Sequence, residues 1–237
     1  RRWRRWSEEY RRRRAHRSLA TGMLALAKGD FARAERLFTR GAERDALPEV
    51  HYLAAAQAAQ AMNAPARRDN YLQLAHDVQP DAAAALDIKH AEWLLENDQL
   101  AEARKLIGDL QQAQVGNVQV LKLRMSLLQS LGDMNALLAL IPDLRRDRVI
   151  PFDDANALER DCAIAVLDEH NASHESLAEV WKGLSKPMRF LAPVLGHYVQ
   201  GLCTFAAHDE AEALLRKRLE SAWDSSLAAL YGKVECY

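Results

Sequence analysis

His170 and His174 stand four residues apart, a spacing at which two imidazoles on one helix face can grip a metal ion. The stretch that holds them, "HNASH", reads instead as a turn between two helices, where that geometry is not kept. Neither a Cys-x-x-Cys-His nor a His-Glu-x-x-His run accompanies the pair, so they read as solvent-exposed turn histidines and no metal ligand is assigned. Cys162, Cys203 and Cys236 are widely spaced, odd in number and set in apolar helical patterns. That suits small buried residues in a reducing compartment better than nucleophiles or disulfides. No two glycines lie two residues apart, so neither a dinucleotide loop nor a phosphate loop can be written. A flavin or nucleotide enzyme is excluded on that ground, no cofactor is assigned, and the chain reads as non-catalytic.

A denser concentration of chemistry opens the chain, "RRWRRWSEEYRRRRAHR", with nine arginines in seventeen residues. On a helix Trp3, Trp6 and Tyr10 fall at i, i+3 and i+7, one aromatic stripe flanked by Arg1, Arg2, Arg4, Arg5 and by Arg11, Arg12, Arg13 and Arg14. Rings of this kind sit at headgroup level while guanidinium groups meet anionic lipid, so the segment suits a membrane interface. Arginine and aromatics also suit phosphates and bases, and a solvated charged arm is the plain alternative. The rest of the chain weighs against nucleic acid. Its 23 basic and 31 acidic residues leave it at -8, against +7 for residues 1–17.

The elements that carry these residues are helical. Glycine (10) and proline (7) are scarce among 237 residues, hydrophobic residues make up 49%, and no run of about 20 apolar residues is present to cross a bilayer. "LALAKGDFARAERLFTRGAE" and "WLLENDQLAEARKLIGDLQQA" share one grammar, an apolar helix ending in a polar turn and a second helix after it. Weaker copies place the turns at Gly29, Asn63, Asp98, Gly132, Asn171 and Ala206, with intervals of about 35 residues. Five residues after a turn, Ala34, Arg68, Ala103 and Leu137 face the partner helix, with Phe38, Leu72, Ile107 and Ile141 one helical turn further on. Small residues at Gly22, Ala56 and Ala91 let the paired helices approach.

That grammar resembles the tetratricopeptide repeat (TPR). The expected fold is all-α: a TPR-like solenoid of about six helix pairs in a right-handed superhelix, with a basic N-terminal helical extension. The organisation reads as a basic juxtamembrane segment at 1–17, repeats at 18–144, a long connection at 145–154 and truncated repeats at 155–237. Pro142 should break or kink its helix, and the helix after the connection should start near Asp154 or Asn156. One further helix is expected near residue 230. In such a stack first-helix residues line the inner face. The partner-binding candidates there are Gln57, Gln60, Lys89, Glu92, Lys122, Ser126 and Gln129.

Together the basic "RRRRAHRSLATGMLALAKGDFARAERLF", "HYLAAAQAAQ", "LLALIPDLRR" and "LAEVWKGLSK" resemble the proteobacterial HemY-type, haem-biosynthesis-associated TPR family over nearly the whole chain. The resemblance implies two membrane spans ahead of this region, so that the arginines lie where the chain leaves the bacterial inner membrane on its cytoplasmic face. The start at Arg1 and the stop inside an apolar helical pattern fit an excised, soluble piece of a longer protein. The resemblance also implies protein partners among late tetrapyrrole-pathway enzymes. Haem or porphyrin as a bound ligand, in a carrier or regulator, is the alternative.

Overall fold

The structure, a computed structural model, describes residues 2–43, 45, 47–114 and 116–234; at 2–9, 11 and 12 it describes the backbone. Among the described residues every regular element is helical, fourteen α-helices and one short 3-10 turn at Pro80–Ala82. The chain divides into two compact units, 1–115 and 116–237.

The first unit holds α1 (Arg2–Ala27), α2 (Phe31–Ala42), α3 (Pro48–Ala61), α4 (Pro65–Val78), α5 (Ala83–Glu96) and α6 (Leu100–Ala113). Consecutive helices pack on one another from α1 to α6. Phe38 is fully buried against Ala25, Ala34, Ala55 and Ala58, an exchange of bulk on one helix for methyl groups on the next. Burying such a ring contributes about 2–3 kcal/mol. The approach is close enough that a Cβ added at Gly22 would stand 2.5 Å from Phe38 Cε1. The basic head continues α1 without a break, and its Ala15 is already buried.

The second unit holds α7 (Val118–Leu131), α8 (Met134–Arg146), α9 (Phe152–Glu169), α10 (His174–Gly183), α11 (Lys186–Arg189), α12 (Ala192–Thr204), α13 (His208–Ser221) and α14 (Ser225–Tyr231). Helix α14 is the further helix expected near residue 230. The four-residue α11 was not foreseen; Ser185 caps it, its hydroxyl accepting from Met188 N–H, and Met188 anchors it in the core. The break expected at Pro142 does not occur, because α8 runs on to Arg146. Pro142 is exposed while Leu140, Ile141 and Leu144 are buried. Their packing offsets the roughly 3 kcal/mol that an interior proline costs. Helix α9 starts at Phe152, earlier than the sequence suggested, and Val149 of the preceding joint is buried.

The turns repeat one piece of backbone. Gly29, Asn63, Asp98, Gly132 and Ala206 all have φ between 52° and 79°, the left-handed conformation that ends a helix. In each case the next residue donates its N–H back to the helix: Asp30 to Ala25, Ala64 to Ala59, Gln99 to Leu94, Asp133 to Leu128 and Ala207 to Leu202, at 2.8–3.1 Å. This is the six-to-one bond of the Schellman motif. Asp30 and Asp133 then cap the following helix with their side chains, accepting from Arg33 and Ala136 N–H. The turn at Asn171 differs. Its φ is not positive, and Ser173 caps α10 instead, its hydroxyl accepting from Ser176 N–H at 3.2 Å.

Candidate functional site

The seven candidate residues of the inner face are shared between the units, Gln57, Gln60, Lys89 and Glu92 in the first and Lys122, Ser126 and Gln129 in the second. Gln57 on α3, and Lys122 and Gln129 on α7, are exposed, and Ser126 is half-buried. On α5, Lys89 Nζ donates to Glu92 at 2.6 Å and stands 5.5 Å from the centre of the Trp93 ring. These two charges answer each other across one helical turn, and both stay more than a third exposed.

Gln60 has a structural duty. Its Oε1 accepts from Arg68 Nη1 at 3.0 Å and from Asn97 Nδ2 at 3.1 Å. Arg68, at the seam position that Ala34, Ala103 and Leu137 hold elsewhere, is fully buried. Its Nε donates to Asp69 at 2.7 Å, and Nη1 and Nη2 both donate to Gln99 Oε1 at 3.3 Å. One guanidinium therefore joins the end of α3, the start of α4 and the residue ahead of α6. His90 of α5 brings its Nε2 to 3.2 Å from the same Asp69 carboxylate. Burial holds the His90 pKa below its ordinary value, and Arg68 adds to that, although Asp69 and Asp87 pull the other way. Asp69, His90 and Gln99 line an open groove of about 360 Å³ with Leu94, Glu102, Lys105, Leu106 and Asp109.

A second ordered pair flanks α2. Tyr71 O–H donates to Glu35 at 3.0 Å and Arg67 approaches the same carboxylate at 3.4 Å. Burial and the Glu35 charge push the Tyr71 phenol up to about 12.

Histidines 170 and 174 go separate ways. His170 Nδ1 donates to the carbonyl of Val166 in its own helix at 2.9 Å, while His174 Nε2 lies 3.2 Å from Glu210 of α13. Among the described residues no cluster of three or more His, Cys, Asp or Glu is placed to hold a metal. Cys162 is buried and Cys203 half-buried, and burial raises both thiols, Cys162 to about 11. Cys236 lies outside the described residues.

Of the membrane-interface residues, Tyr10, Arg13 and Arg14 are exposed on α1. Arg1 lies outside the described residues, as do the side chains of Arg2, Trp3, Arg4, Arg5, Trp6, Arg11 and Arg12. Among the described residues no helix is long and apolar enough to cross a membrane.

A family model for the HemY protein N-terminus matches residues 1–63, which cover the basic head and helices α1 to α3. Protein HemY of Escherichia coli K12 is 26% identical over 224 residues, 94% of this chain. These matches support a HemY-type protein. Protein HemY of Shigella flexneri matches at the same identity and extent. The chain spans 56% of the length of these curated relatives.

Sequence reasoning missed one site altogether. In the second unit Lys186, Arg189, Lys217 and Arg218 surround an apolar hollow of about 330 Å³ floored by Trp181, Phe190, Leu195 and Leu214. Helices α10, α11, α12 and α13 each contribute, so no single stretch of sequence carries the signal. The cluster "RKR" at 216–218 was the available hint.

Proposed function

We propose that the chain is the helical-repeat region of a membrane-associated, non-catalytic scaffold that serves haem or tetrapyrrole synthesis by holding protein partners. The observation that carries this reading is the recurrence of one left-handed Schellman turn at Gly29, Asn63, Asp98, Gly132 and Ala206, with the small-to-large seam beside it. Five such joints fall at a TPR-like period, a sixth at Arg148 lying between helix pairs, and this recurrence favours stacked helix pairs, an architecture whose product is an extended binding surface. The similarity to HemY supports the haem link, and the arginine-aromatic head supports attachment at an anionic membrane surface.

Exposed Gln57 and Gln129 and the exposed side of Glu92 are where a partner would be read. The test uses the full-length membrane protein carrying Gln57→Ala, Glu92→Ala and Gln129→Ala together, with late tetrapyrrole-pathway enzymes measured in its co-purified material. The triple variant should recover at most about a tenth of the partner while its Tm stays within a few degrees of the parent. Full recovery would reject these residues as partner contacts. Removing residues 1–14, which stops short of buried Ala15, should abolish binding to anionic vesicles while leaving the helical signal of the remainder unchanged. Undiminished vesicle binding would reject the head as the membrane contact.

A further inference from the structure

The hollow at α10–α13 combines two features that oppose each other unless a ligand joins them. Its floor is apolar and rigid: Trp181 stacks on Tyr198 with ring centres 4.1 Å apart, and Leu195 beside them is almost fully buried. Tyr198 is in turn fixed by its O–H, which donates to Glu210 at 3.1 Å. Its rim is cationic. Among the described residues no ion pair involves Lys186, Arg189, Lys217 or Arg218. This happens in a unit that carries 13 basic against 17 acidic residues, where acidic partners are plentiful.

Two arginines of the rim are arranged with particular economy. Arg218 is spent on the backbone: its Nε donates to the carbonyl of Phe190 at 3.1 Å and its Nη1 to that of Ala222 at 2.9 Å. It thereby ties the loop after α11 to the end of α13 and sets the mouth of the hollow. Arg189 Nε is buried with no acceptor. Phe190 is 42% exposed, and Trp223, next to the tied Ala222, is 77% exposed. Phe190 and the unpaired cations Lys186 and Lys217 thus meet water at the same rim.

We infer that this hollow binds an anionic amphiphile, a molecule with one phosphate or carboxylate head and an apolar body. The head is neutralised by Lys186, Arg189 and Lys217, and the body lies on Trp181, Phe190, Leu195 and Leu214. An inorganic anion would leave the apolar floor wet, and a neutral apolar molecule would leave the cations unanswered. The volume falls at the lower end of the range for small-molecule pockets, which suits a chain or a small ring system. Such a ligand is supplied either as an anionic phospholipid in a membrane or as a soluble amphiphilic acid.

The test titrates the 237-residue chain by calorimetry with dodecyl phosphate below its critical micelle concentration, with inorganic phosphate and dodecanol as controls. Saturable one-to-one binding of dodecyl phosphate is expected, at least tenfold tighter than either control. Lys186→Gln with Lys217→Gln should weaken it about thirtyfold, each lost cation costing about fivefold near an anionic head. Arg160→Gln with Lys233→Gln, the same charge change elsewhere, should leave it unchanged. A melting curve for each variant separates lost binding from lost folding. Vesicles of phosphatidylglycerol then distinguish the sources, using a chain that lacks residues 1–14. Vesicle binding that falls with Lys186→Gln/Lys217→Gln identifies lipid, and binding of dodecyl phosphate alone identifies a soluble acid. Absence of saturable binding, or equal loss in both charge variants, would overturn the inference.

Discussion

Replacing Arg68 by methionine removes a guanidinium but keeps most of the stem that packs in the seam between α3 and α4. The charge it deletes is fully buried and makes hydrogen bonds to three side chains, those of Asp69, Gln60 and Gln99. Asp69 is half-exposed and recovers water, and Gln60 Oε1 keeps Asn97 as a donor. Gln99 Oε1 loses both guanidinium contacts. Hydrogen bonds to a charged group are worth about 1.5–3 kcal/mol each, and relief from the desolvation of a buried cation returns part of that. A net loss of about 1–2 kcal/mol is expected. With urea slopes of about 1–3 kcal/mol per molar, the midpoint should fall by roughly 0.5–1 M, followed by far-ultraviolet circular dichroism. Hydrogen exchange should place the loss in α3–α6 and spare α7–α13. An Arg68→Met variant as stable as the parent would refute the role given to this cluster.

Three further outcomes follow from single side chains. Gly22→Ala, a change that stabilises most helices by up to about 1 kcal/mol, should here cost about 1–2 kcal/mol, since the new Cβ would meet the buried Phe38 ring at 2.5 Å; a raised Tm would contradict the close seam. Ala206→Gly should stabilise the second unit by about 1 kcal/mol by relieving an alanine held at φ 58°, read as a higher urea midpoint, whereas a lower midpoint would contradict it. Cys162 keeps its proton in the fold up to about 11 but has an ordinary thiol value of 9.0 once unfolded. The unfolded chain therefore gives up that proton first, so stability should decline as pH rises through this window, and alkylation of Cys162 at pH 8 should proceed only through unfolding. A Cys162→Ala variant with the same alkaline decline would assign the effect to other groups.

Much of the helical order was legible because it is local. A turn residue, a small residue seven before it and an apolar residue nine after it repeat within one stretch of sequence, and Gly22, Ala34 and Phe38 meet in the structure as that register requires. Position 68 was legible as a departure from the pattern, but its meaning was not, because one of its acceptors, Gln99, is 31 residues away. Pro142 misled because local propensity favoured a break while three buried neighbours favoured continuity. The amphiphile hollow was invisible for a related reason. Beyond the basic run at 216–218 its cations carry no mark in the sequence, and only their convergence over Trp181 gives them a common purpose.

The joints also govern where this protein can change length. At Gly29–Asp30 and Gly132–Asp133 one residue closes a helix and the next both completes that closure and caps the following helix, so no position there is idle. An inserted residue would uncouple the bond from the cap and turn every later side chain of the second helix by about 100°. Among the described residues the connections after α4, α8 and α10 show no residue that both completes a closure and caps the next helix, although Arg148 and Val149 close α8 with the same left-handed bond. The 39-residue interval arises outside the paired turns, where α9 runs to 18 residues. Tags, linkers and natural insertions should therefore be tolerated better between helix pairs than at the Gly29–Asp30 and Gly132–Asp133 joints within them.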